Sequence, residues 1–96
     1  MAGRNNIQND KLTLKQSDKN YIWLHVKDHH GSHVIVKSTS PSEKVLEYAA
    51  TIAVKHSEAK NSSKVPVDYT LVKFVHKPKG AMPGKVIYTD YKTIII

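Results

Sequence analysis

Cysteine is absent from the 96 residues. That excludes disulfides, thiolate metal sites, thiol nucleophiles and iron–sulfur clusters. No apolar run approaches the roughly 20 residues of a membrane span. The opening Met1-Ala2-Gly3-Arg4-Asn5-Asn6 holds no hydrophobic region of the kind a secretory signal needs. A cytoplasmic setting without a membrane partner is therefore expected. Neither Gly-x-Gly-x-x-Gly nor Gly-x-Ser-x-Gly occurs, so the dinucleotide fingerprint and the hydrolase elbow are both missing. Gly80 to Lys85 resembles a phosphate loop only superficially. It is one residue short, Val86 stands at the Ser/Thr position, and Pro83 lacks an amide to cradle phosphate. Acidic residues are scarce as well: 8 Asp+Glu against 15 Lys+Arg, net +7.

What is present describes one folded domain. A chain of this length buries roughly 60–65% of its unfolded surface, enough for one core and not two. The composition, 40% hydrophobic and 24% charged, is that of a folded soluble domain. The basic excess is uneven. Residues 1–40 carry six bases and three acids, residues 41–60 three and three, and residues 61–96 six and two. Both ends are basic and the middle is neutral. A surface of this kind attracts polyanions such as nucleic acid or the ribosome.

Hydropathy patterning gives a small α+β fold, a mainly antiparallel sheet with one central helix. Residues 4–18 are polar apart from Ile7, Leu12 and Leu14, and Asn5 or Asn6 can cap a short N-terminal helix. Tyr21 to Lys27 alternates as a strand, and His33 to Lys37 follows as a second. With the turn-like Asp28–Ser32 between them they form an antiparallel hairpin. Ser40-Pro41-Ser42-Glu43 opens a helix expected to run to about Lys60, with Ser40 as cap and a stripe of Val45, Leu46, Ala49, Ile52, Ala53 and His56. Val65 to Tyr69 reads as a loop or edge segment, because Pro66 cannot donate to a ladder. Leu71–His76, Val86–Tyr88 and Thr93–Ile96 read as strands, and residues 77–84 as a loop.

Catalytic chemistry is not apparent. Ser32 and His33 are adjacent on a strand and so point to opposite faces. Asp28-His29-His30-x-x-His33 offers three metal ligands, but zinc prefers four, often with cysteine, and no second ligand cluster exists. No metal, no cofactor and no enzymatic activity are expected. Asn61-Ser62-Ser63 is a chance glycosylation sequon in a chain without a signal.

The hairpin is the sharpest constellation. With Lys27 opposite His33, His25 opposite Ile35 and Trp23 opposite Lys37, one face carries Ile22, Leu24, Val26, Val34 and Val36. The other carries Trp23, His25, Lys27, His33 and Lys37. An aromatic ring among cations is a platform for unpaired bases and phosphates. Burial of Trp23 under the N-terminal helix, with structural histidines, is the competing arrangement. A second basic group gathers Lys73, His76, Lys77, Lys79 and Lys85 around a loop held by Pro and Gly.

These residues together resemble the NFACT-R domain over nearly the whole chain. The resemblance rests on Gly3-Arg4-Asn5-Asn6-x-Gln8-Asn9-Asp10-x-Leu12-Thr13, Trp23-Leu24-His25-x-Lys27-Asp28 and Gly31-Ser32-His33-Val34. It continues through Ser63-Lys64-Val65-Pro66-Val67-Asp68-Tyr69-Thr70 and Lys77-Pro78-x-Gly80-Ala81-x-Pro83-Gly84-x-Val86. His30 departs from the family pattern, which usually has Pro before Gly-Ser-His. The resemblance implies an RNA-binding module of ribosome-associated quality control. Its expected partners are tRNA or rRNA at a large ribosomal subunit carrying a stalled chain. Bacterial members are often labelled fibronectin-binding proteins, which makes a fibronectin-binding adhesin fragment the alternative. The resemblance is compatible with a module excised from a larger protein, Met1-Ala2 then being a remnant, and with a stand-alone R-type protein. The candidate RNA contacts are Arg4, Trp23, His25, Lys27, His33, Lys37, Lys64, Lys77, Lys79 and Lys85.

Overall fold

The computed structural model describes residues 18–27, 31, 33–38, 40–82 and 85–96. The expected N-terminal helix over 4–18 lies almost wholly outside them. The elements run β1 (Ile22–Val26), β2 (Val34–Val36), α1 (Glu43–Lys55), β3 (Pro66–Leu71), a 3₁₀ turn (Val72–Phe74), β4 (Val75–His76), β5 (Ile87–Tyr88) and β6 (Lys92–Ile95). The main sheet has the order β2-β1-β3-β6, and β4 and β5 form a separate small hairpin. Every neighbouring pair is antiparallel. The α+β architecture expected from the sequence is the one observed. Among the described residues no helix is long and apolar enough to cross a membrane.

The main sheet is covered on both faces. Leu24, Val26, Val34 and Val67 point to one side and pack against Ala49, Ala50, Ala53 and Val54 of α1. Small alanines let the helix sit close to the strands, and their spacing follows the helical period. The buried stripe is thus rotated from the expected one: Val45 is 44% exposed, and His56 is exposed beyond the last turn. The cap is Ser42 and not Ser40, with extended backbone (φ −69°, ψ 163°) and its hydroxyl accepting from the Val45 amide at 3.3 Å. Glu43 in the first turn and Lys55 in the last complement the helix dipole. The helix stops at Lys55 because Ser57 turns back: its hydroxyl donates to the Val54 carbonyl (2.8 Å) and accepts from the Ala59 amide (3.1 Å).

The opposite face carries Trp23 and Ile35, which pack with Val72 and Val75 and with the half-buried Tyr21, Val86 and Tyr88. The 3₁₀ turn and the β4–β5 hairpin therefore form a third layer. Leu71–His76 is accordingly broken by a turn and is not one strand.

Two further expectations are corrected. Trp23 pairs with Ile35 and Leu24 with Val34, so the hairpin register differs by two residues from the one expected. An even shift leaves each side chain on its expected face. Gly31, before β2, forms an antiparallel bridge with Ser57 just past the end of α1. A Cβ on Gly31 would lie 2.8 Å from Ser57 Cβ, so a side chain has no room there. Pro66 opens an interior strand and not an edge segment. Val65 and Ile96 exchange backbone hydrogen bonds (2.8 and 2.9 Å), and the Pro66 carbonyl accepts from Lys27 (3.0 Å). Only the missing proline amide is forfeited, at the first residue of the strand, where it is tolerated.

Candidate nucleic-acid interface

Alternation along β1, β2, β3 and β6 places His25, His33, Asp68 and Thr93 on the hairpin side of the sheet. Trp23 anchors them. Its ring lies 4.7 Å from that of Tyr88, stacks on His25 at 5.8 Å and 12°, and meets His33 edge-on at 5.3 Å. His25 and His33 meet edge-on at 5.4 Å. Trp23 is 0% exposed and His33 1%. Neither is an open platform: the hairpin layer covers the indole, and His33 is buried beside it. Sequence reasoning assigned that cover to the N-terminal helix; among the described residues it comes from the C-terminal third. The indole Nε1 is buried without a hydrogen-bond partner among the described residues. The ring's contribution is therefore packing.

Asp68 closes this layer. It is 1% exposed. It accepts from the Tyr88 hydroxyl at Oδ2 and from the Thr93 hydroxyl at Oδ1, the latter at 2.7 Å. A buried carboxylate needs such donors. Thr70 adds a second tie, donating to the Thr89 carbonyl at 3.0 Å. These bonds fasten the β5–β6 segment to β3 across 19 to 25 residues of sequence. Asp68, Tyr88, Tyr91 and Thr93 were not singled out from the sequence. The signal was there in Val34-Ile35-Val36, an unbroken apolar run of the kind a strand shows when both its faces are buried.

The cations lie around the rim of this layer. Lys27 is half-buried and holds its ammonium 5.1 Å from the centroid of the Tyr91 ring. His25, two residues before it, is also half-buried. Lys37 is exposed just past β2, and Lys64 is exposed with positive φ (53°) just before β3. Lys79 and Lys85 are exposed in the loop between β4 and β5. Lys77 differs from them: its ammonium donates to the Met82 carbonyl at 2.7 Å and braces that loop. Lys73, 5.3 Å from the Phe74 ring centroid, joins the basic rim at the 3₁₀ turn, where its amide donates to the Lys19 carbonyl. Arg4 lies outside the described residues, as do Asp28, His29 and His30 of the histidine cluster. Among the described residues no group of three or more His, Cys, Asp or Glu is placed to share a metal ion.

The helix side is different in chemistry. A groove of about 180 Å³ between α1 and the β3–β6 strands is lined by Glu43, Leu46, Glu47, Tyr69 and Ile94. Two carboxylates at its rim repel phosphate.

Known proteins resemble this chain in both sequence and fold. Residues 1–90 match the family model described as the NFACT protein RNA binding domain. The chain is 48% identical over 96 residues to the "Rqc2 homolog RqcH" of Bacillus subtilis (strain 168), and 43% identical over 95 residues to that of Streptococcus suis (strain 05ZYH33). It spans 17% of the length of each. Among solved structures, the C-terminal part of the fibronectin/fibrinogen-binding protein from Streptococcus suis superposes with a TM-score of 0.96 at 43% identity. That match covers 100% of this chain and 39% of the other.

Proposed function

This chain belongs to the NFACT protein RNA-binding domain family, and from that premise we propose that it is a non-catalytic module that holds tRNA or rRNA at the large ribosomal subunit. The observation that carries the RNA reading is the family match over residues 1–90. The relatives' name supports a setting in ribosome-associated quality control, and hence a cytoplasmic one.

The distribution of charge supports a location for the RNA. Phosphates meet the exposed Lys37, Lys64, Lys79 and Lys85 and the half-buried Lys27, all outside the neutral helix segment. Lysine is a flexible point charge, suited to phosphate and poorly suited to reading bases. Trp23 acts from beneath, packing the hairpin layer onto the sheet, with His33 edge-on against its ring. Lys77 shapes the loop that presents Lys79 and Lys85. His25 shares its face with Lys27 and is half-buried, where His33 is fully buried.

The second reading, fibronectin binding, rests on the name of the structural relative. Titrations with tRNA and with fibronectin at several salt concentrations separate the two. RNA binding should weaken linearly on a logarithmic salt scale, with a slope set by the number of phosphates engaged. Tight fibronectin binding with no measurable affinity for tRNA would reverse the assignment.

A further inference from the structure

Two aromatic rings stand well out of the described surface on opposite sides of the molecule, and they are held very differently. Tyr48 on α1 is 71% exposed, lies beside Glu47, and makes no ring contact among the described residues. Tyr91, just before β6, is 44% exposed and is braced on its buried side. Tyr88 meets it edge-on at 5.1 Å and 75°. Tyr88 is itself fixed by its hydrogen bond to Asp68 and its contact with Trp23. The Lys27 ammonium lies 5.1 Å from the Tyr91 centroid. A ring held in place by a packed chain of contacts loses little freedom when a ligand covers it.

We propose that Tyr91 is the stacking platform for one unpaired base of an RNA strand, with Lys27 taking an adjoining phosphate. The inference rests on the RNA reading above and deepens it: it names the part of the RNA that is read, a single-stranded segment. A base stacks on a side chain only when its own face is open, which a duplex does not allow. Lysine beside tyrosine supplies charge and π-surface together, the pairing that non-specific single-strand sites use. Trp23, the aromatic that first suggests this role, is buried, and its function passes to the tyrosine at the margin of the same cluster.

The test uses the full chain, a short unstructured single-stranded RNA and a duplex of equal length. Tyr91→Leu keeps an apolar side chain and removes the π-face. It should weaken single-strand binding about 5- to 150-fold, the range seen when one stacking aromatic is removed. The salt slope and the duplex affinity should stay as in the wild type. Tyr48→Leu should change nothing. Tyr91→Trp supplies a second readout that does not depend on the leucine variant folding. Its exposed indole should be quenched by the single strand and not by the duplex, while Trp23 stays silent. Unchanged single-strand affinity in a folded Tyr91→Leu protein, or no quenching at saturating RNA, overturns the platform and leaves the RNA reading standing. A wild-type chain that binds neither RNA overturns both.

Discussion

The two faces of one sheet have been covered in opposite ways. On the helix side, alanines and aliphatic residues of α1 meet Leu24, Val26, Val34 and Val67, with the charges outside in balance. On the hairpin side, Trp23, His25, His33 and Tyr88 pack ring against ring, and Tyr88 and Thr93 donate to a buried carboxylate, with lysines at the margin. The first arrangement is ordinary core. The second spends specific hydrogen bonds on fixing a short hairpin that has little secondary structure of its own, two residues in each strand. A two-stranded ribbon of that length does not hold alone. Its anchoring positions the basic loop and Tyr91, so the cost of a polar core falls on the side where binding is proposed.

The hairpin-side core is most vulnerable at Trp23, which is 0% exposed. Trp23→Ala should cost about 3–5 kcal/mol of stability, through lost burial and the cavity left behind. Chemical denaturation measures it. Trp23→Phe should cost less, because it also removes an indole N–H that has no hydrogen-bond partner among the described residues. A loss under about 1 kcal/mol for Trp23→Ala would mean that the hairpin layer is not a true second core.

Asp68 comes next. Asp68→Ala leaves the half-buried Tyr88 hydroxyl without its acceptor and should destabilise by about 1–3 kcal/mol. The double-mutant cycle with Tyr88→Phe should show coupling on the order of 0.5–3 kcal/mol. Additive effects would show that the bond does not latch the hairpin. Gly31→Ala tests the joint between the β1–β2 loop and the end of α1. Its new methyl meets Ser57 Cβ and backbone, and an overpacking cost of about 1–3 kcal/mol is expected in a thermal melt.

How much of this was legible follows from the physics of each element. The hairpin strands, the capped helix and the assignment of side chains to faces were readable, because alternation and period are local properties. The interior position of β3 was not, since Pro66 obscures a strand whose partners are remote in sequence. Burial of Trp23 was readable from its size, but not what covers it: the cover expected from the N-terminal helix comes, among the described residues, from the C-terminal third. The candidate lysines were visible as charges. That Lys77 ties a loop, and that Tyr91 and not Trp23 offers an exposed ring, depends on contacts between distant segments.

The smallest effects concern charge. Lys79→Ala and Lys85→Ala should each weaken RNA binding modestly and lower the salt slope by about one, with stability unchanged. Lys44→Ala on α1 should do neither.

We place the proposed RNA contact on the hairpin side and its basic rim, away from the helix. Backbone amide shifts recorded while tRNA is added to the labelled chain test it most directly. Perturbation is expected at Lys27, at Lys79 and Lys85 in the β4–β5 loop, and at Tyr91, with α1 unmoved. Perturbation concentrated at Lys44, Lys55 and Lys60 would contradict it.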